Sequence, residues 1–157
     1  MLPFGITSGN FITGQNPFST TWVAEEIVKA LGIQPKSRKQ YPDEKSIFLV
    51  KRALNGEQKW AKEELCKNKE SYDLQLIGAY GYLGLLNAKD EEQKLKEALS
   101  VIDLVSDFFF NENYQMERAI AYNKLGNKNK AKILLEDLIK RNLLTEKAQN
   151  LLSTIKV

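Results

Sequence analysis

From Pro42 to the end of the chain, apolar residues recur at intervals of three and four, the period of a helix with one buried face. Ile47, Val50 and Leu54 mark the first such face, with Phe48 beside it; Trp60, Ala61 and Leu65 mark a second. Leu95, Ala98, Leu99, Ile102 and Val105 form another, and Ala148, Leu151, Leu152 and Ile155 the last. The stretch Tyr72 to Leu86 differs: Leu74, Leu76, Ile77, Ala79, Tyr80, Tyr82, Leu83, Leu85 and Leu86 put apolar groups nearly all round a helix. Such a helix is expected to be central and buried. No strand pattern recurs after residue 42. Before it, Ile6-Thr7 and Phe11-Ile12-Thr13 flank Ser8-Gly9-Asn10, a hairpin signal.

The punctuation between these runs predicts helix ends. Ser19 or Thr20 caps a first helix carrying Trp22, Val23, Ile27 and Leu31, and Gly32 ends it. Residues 33–42 read as a linker, with prolines around Lys36, Arg38 and Lys39 and no apolar period; the charges are expected to be solvated. Pro42 opens the next helix and Asn55-Gly56 stops it. Asp90 with Gln93 reads as a capping box, and Asn111, Asn127 and Thr145 read as caps of the last three helices. The expected organisation is an N-terminal segment over residues 1–32, a linker over 33–42 and a helical domain over 43–157. Gly78, Gly81 and Gly84 each cost a helix up to about 1 kcal/mol relative to alanine. Three in seven residues indicate a close backbone approach by a neighbouring helix, or a kink. They are not a phosphate loop, because no strand precedes them and no Gly-Lys-Ser/Thr follows.

Charge and composition then narrow the chemistry. The 157 residues suit one domain with an appendage, and 23 basic against 20 acidic residues leave a net charge of +3, too balanced for a nucleic-acid-binding face. There is no histidine and one cysteine, Cys66, which reads as a half-buried structural thiol. Without a neighbouring base it is no nucleophile, and a His/Cys metal cluster cannot be assembled. No cofactor is implied. Glu25-Glu26, Glu63-Glu64 and Glu91-Glu92 are adjacent on helices and point in different directions, unlike the facing carboxylates of acid–base catalysis. The N-terminus lacks a basic region followed by an apolar core, and no apolar run approaches the ~20 residues of a membrane helix. The expectation is a cytoplasmic, non-membrane protein.

Two resemblances add to this reading. Gly9-Asn-Phe-Ile-Thr-Gly-Gln-Asn-Pro-Phe-Ser-Thr-Thr-Trp-Val-Ala-Glu-Glu-Ile-Val-Lys-Ala-Leu-Gly32 resembles the closing strand, loop and helix of the PfpI/ThiJ family of class I glutamine-amidotransferase-like proteins. That family's reactive Cys, on a strand-to-helix elbow, and its His have no counterparts here. The resemblance implies an inactive C-terminal fragment, or an accessory helical extension, of a PfpI-like hydrolase, deglycase or chaperone.

Residues 72–155 resemble divergent tetratricopeptide repeats, through Ala119-x-x-Tyr122-x-x-Leu125-Gly126-x-x-x-x-Ala131-x-x-x-Leu135 and the matching Ala79-x-x-Tyr82-x-x-Leu85. Arg118, Leu138 and Leu143 depart from the family pattern. The implied fold class is all-α, a tetratricopeptide-like stack of helical hairpins (an α-solenoid) with a short N-terminal hairpin and helix; the alternative is a generic bundle with the same core spacing. The implied function is a non-enzymatic protein-interaction or scaffolding module for a protein or peptide partner or for a second copy. By the family's register, Asn113, Met116, Ile120, Asn123 and Lys124 face the peptide groove; alternatively Met116 and Ile120 belong to the core or to an interface.

Overall fold

The computed structural model describes residues 2–34 and 36–155, so Pro35 of the expected linker and the last two residues of the expected helical domain lie outside the described residues. Strands β1 (Gly5–Ser8) and β2 (Phe11–Gly14) form an antiparallel hairpin, with Ser8 opposite Phe11 and Gly5 opposite Gly14. Eight helices follow among the described residues: α1 (Thr20–Ala30), α2 (Pro42–Arg52), α3 (Gln58–Asn68), α4 (Leu74–Ala88), α5 (Glu92–Val105), α6 (Glu112–Lys124), α7 (Lys128–Lys140) and α8 (Thr145–Thr154). The protein is mainly helical, as the periodicity indicates.

Local chemistry explains most of the ends. Asn111 accepts the backbone N–H groups of Asn113 and Tyr114, and Asn127 accepts that of Lys130. Gly32, Gly126 and Asn142 stand at φ values of 72°, 77° and 61° after α1, α6 and α7. Each lets the next residue's N–H reach back to a carbonyl of the final turn: Ile33 to Val28, Asn127 to Tyr122 and Leu143 to Leu138. Pro42 opens α2, while the Glu44 carboxylate accepts the Tyr41 N–H at 2.9 Å. Gly56, at φ 96°, turns the chain between α2 and α3 through the wide bend Ala53–Glu57.

Three expected caps are corrected. Ser19 makes no cap; its hydroxyl accepts the Phe4 N–H at 3.0 Å and donates to the Phe4 carbonyl at 2.9 Å, while Asn16 caps a short 3-10 turn over Pro17–Ser19. Thr20 is already helical and donates to the Pro17 carbonyl. The start of α5 has no side-chain cap, because Glu91 occupies that position and Asp90 pairs with Lys124 at 3.0 Å. Thr145 is the first residue of α8, preceded by Leu144 at φ 47°.

Two apolar cores share one helix pair. Leu49, Val50, Ala53, Ala61, Leu65 and Ile77 pack with Val101, Leu104 and Val105. On the other side, Leu85, Leu95, Ala98, Leu99 and Ile102 pack with Ala119, Tyr122, Ala131, Leu135, Leu138 and Ala148. Both clusters draw on α4 and α5. A Cβ at Gly81 would stand 2.6 Å from the Ile102 Cβ and 2.7 Å from the Ile102 backbone nitrogen. At Gly84 it would stand 2.9 Å from the Ala98 Cβ, and at Gly78 2.8 Å from the Tyr114 ring. The glycine run therefore serves close packing, on α5 and on the Tyr114 ring of α6. Ala79 is only half-buried where Ala119 is fully buried, so the two shared spacings do not put their alanines in equivalent environments.

Buried polar groups fasten successive elements. Ser46 on α2 donates to the Pro42 carbonyl at 2.7 Å and accepts the Asp73 N–H at 2.8 Å; Asp73 in turn caps α4 by accepting the Leu76 N–H. Gln115 on α6 donates to the Leu134 carbonyl and to Asp137 on α7. Arg38 of the connector is bonded to Glu44 at 2.6 Å and to Glu25 of α1 at 3.1 Å, so the positive run is partly engaged. Cys66 is exposed, not half-buried as its helix-end setting suggests, because α3 turns that flank to solvent.

Two outcomes test this account. Gly81→Ala is expected to lower stability to urea by about 1–3 kcal/mol, since overpacking against the Ile102 backbone exceeds the gain in helix propensity; a more stable variant would contradict the close contact. The Arg38 guanidinium, bonded to Glu44, holds that carboxyl at about 2, below its ordinary value of 4.5. The stability it adds is thus present above pH 4.5 and lost as pH falls toward 2. Glu44→Gln should flatten the pH dependence of unfolding across that window.

Candidate protein-interaction surface

The outer face of α4 is the largest departure from the expected helix buried all round. Leu83 is 54% exposed and Leu86 is 48% exposed, with Leu76 and Ala79 half-buried along the same side. These four positions follow a three-four-three spacing, which aligns them as one seam on a straight helix. The opposite side carries Ile77, Gly81, Leu85 and Ala88, all buried. No residue from Leu74 to Ala88 carries a charge. The helix is therefore apolar on both sides and, among the described residues, fully covered on only one.

Helix α6 lies alongside, and the Tyr82 ring of α4 stacks on Tyr114 of α6 with centroids 4.8 Å apart. Of the five groove residues expected on α6, Asn113 and Lys124 are exposed, and Ile120 and Asn123 are half-buried. Ile120 rests against the second core, and Met116 is a buried member of it. Lys124 reaches back to Asp90 and to the Lys89 carbonyl, tying α6 to the α4–α5 loop. The five are thus divided between surface, core and a structural ion pair.

A polar hub that the sequence did not single out joins α5, α6 and α7. Asp103 accepts the Arg118 Nε–H at 2.7 Å through one oxygen and the Tyr122 hydroxyl through the other. Burial first, then the bond to Asp103, raises the Tyr122 phenol above its ordinary value of 10. Lys130 sits 4.8 Å from the centre of the Tyr122 ring, and Lys62 of α3 pairs with Asp107 at 2.6 Å. Lys62, Asp103, Arg118, Tyr122 and Lys130 line a cleft of about 250 Å³. Because the Asp103 carboxylate is held by two donors, the hub reads as a fastener. Arg118, a departure from the repeat pattern, was the available signal; Asp103 had none, since its partners lie 15 and 19 residues away.

A second cleft, of about 400 Å³, lies between the N-terminal segment and α2, where Phe18, Trp22, Ile47 and Phe48 meet Asp43 and Lys51. Among the described residues, no group of three or more His, Cys, Asp or Glu side chains could hold a metal ion. No described helix is long and apolar enough to cross a membrane. Comparison with protein-family models, with curated proteins and with solved structures finds no match. The two resemblances rest on the residues quoted for them.

Removing Asp103 takes that partner from both the half-buried Arg118 guanidinium and the buried Tyr122 hydroxyl. Asp103→Ala should cost about 1–3 kcal/mol in chemical denaturation, and a double-mutant cycle with Arg118→Ala should give a coupling energy of about 0.5 kcal/mol or more. Additive losses would mean that the two side chains do not act together.

Proposed function

We propose that this chain is a non-enzymatic protein-interaction scaffold whose helical pairs stack in the manner of tetratricopeptide repeats. It offers the outer face of α4 to an amphipathic helix of a partner. Pairing of α4 with α5 and of α6 with α7, contacts of α2 and α6 with α4, and closure of the end by α8 against α7 support the stacked reading. The observation that carries the binding reading is the seam on a helix without charge in which Leu83 and Leu86 are exposed and Leu76 and Ala79 half-buried. Contiguous exposed apolar surface of this kind marks interaction sites. A seam of two leucines flanked by smaller exposure suits the apolar anchors of a helix laid along it. Asn113 and Asn123 on α6 would then supply polar contacts at the rim.

A photo-reactive residue at position 83 should capture a discrete partner protein, and Leu86→Glu should reduce that capture at least about tenfold without changing the helical circular dichroism signal, as loss of a central anchor implies. The same probe at Glu136, exposed on α7, should not capture it. Equal capture at both positions, or capture unaffected by Leu86→Glu, would refute the assignment.

A further inference from the structure

The hairpin and α1 form a layered unit with one layer missing. Gln15 donates its N–H to the Phe4 carbonyl at 2.8 Å, extending the register in which Gly5 faces Gly14 and Ile6 faces Thr13. Side chains alternate across a strand, so Gly5, Thr7, Ile12 and Gly14 share one face, and Phe4, Ile6, Phe11 and Thr13 share the other. Helix α1 covers the first face. A Cβ at Gly5 would fall within 2.0 Å of the Trp22 ring, and one at Gly14 within 2.7 Å of the Ser19 Cβ. The second face is open: Phe4 is 57% exposed, Ile6 53% and Phe11 77%. Neither strand has a second neighbour among the described residues. An isolated two-stranded hairpin is marginal in water, and three exposed large apolar side chains add to the cost.

We infer that this open face is covered by the same face of a second copy of the chain, giving a two-fold dimer with the hairpins stacked between the two α1 helices. Charge points to self-association. No side chain from Met1 to Ala24 is charged, in a chain with 27% charged residues. Natural hairpins commonly guard open faces and edges with lysine or other charges; this one carries none. A two-fold contact sets the same patch against itself, residue i on j and j on i, so a patch without charged side chains meets itself with no like-charge repulsion. A partner selected by charge would find nothing to pair with here.

The area sets the strength. With about 200 Å² for a fully exposed phenylalanine, Phe4, Ile6 and Phe11 offer roughly 350 Å² per copy and about 700 Å² in the pair. That is below the ~1,000 Å² of stable complexes, so the dimer is expected to be weak and reversible.

Sedimentation equilibrium of the full chain from about 5 µM to about 500 µM should show monomer converting to dimer across that range. Phe11→Lys, and independently Ile6→Lys, should weaken the dimer at least about tenfold while the circular dichroism spectrum is retained. Leu83→Glu on α4 should leave it unchanged, which separates this contact from the partner seam. A chain that stays monomeric throughout, whether because another protein covers the face or because nothing does, would overturn the inference. So would a dimer that resists both lysine substitutions or is lost with Leu83→Glu.

Discussion

The contact between Gly81 and Ile102 is the constraint on which the rest of the helical body depends. It brings the α4 backbone against α5 more closely than any side chain would allow. The pair so formed is a thin partition with an apolar core on each side: Ile77, Val101 and Val105 serve one, and Leu85, Leu99 and Ile102 serve the other. Glycine weakens α4 as an isolated helix. Packing from both sides offsets that loss, so the helix exists because of its neighbours more than its own propensity. The same choice of small residues leaves larger ones, Leu83 and Leu86, for the outer side.

Polar groups set the order in which helices meet. Ser46 makes two bonds that join α2 to the first turn of α4. Gln115 does the equivalent between α6 and α7, and Asp103 between α5 and α6. Ser46 and Gln115 are buried and Asp103 is half-buried. Groups so placed lose their partners if the register shifts, which penalises alternative packings.

Helix positions were readable wherever the determining chemistry is local. Asn111 and Asn127 cap because the acceptor and the free N–H groups lie within three residues, and Gly32 and Gly126 end helices because the backbone there needs a positive φ. Local signals failed where a distant group competed. The Ser19 hydroxyl is taken by Phe4, and Asp90 by Lys124. Burial of α4 was half legible: composition shows that a helix is apolar all round, but not how many neighbours it has. The hub around Asp103 was hidden for the same reason, since ordinary Asp, Arg and Tyr residues acquire a joint role only after folding. Among the expected groove residues, the register of the resembled repeat placed Asn113 at the surface, yet it gave no means of separating Met116 in the core from Ile120 at its margin.

A partition with cores on both sides also limits how such a molecule can be divided. Cutting the chain between α5 and α6 would strand Leu85, Leu99 and Ile102 in water on the surviving piece, and the C-terminal piece would lose the support on which Tyr122 and Ala119 rest. Neither half would be a self-sufficient unit. The far end is different: α8 is held chiefly through α7 and stands apart from the partition. An architecture with its shared wall in the middle is closed to subdivision there.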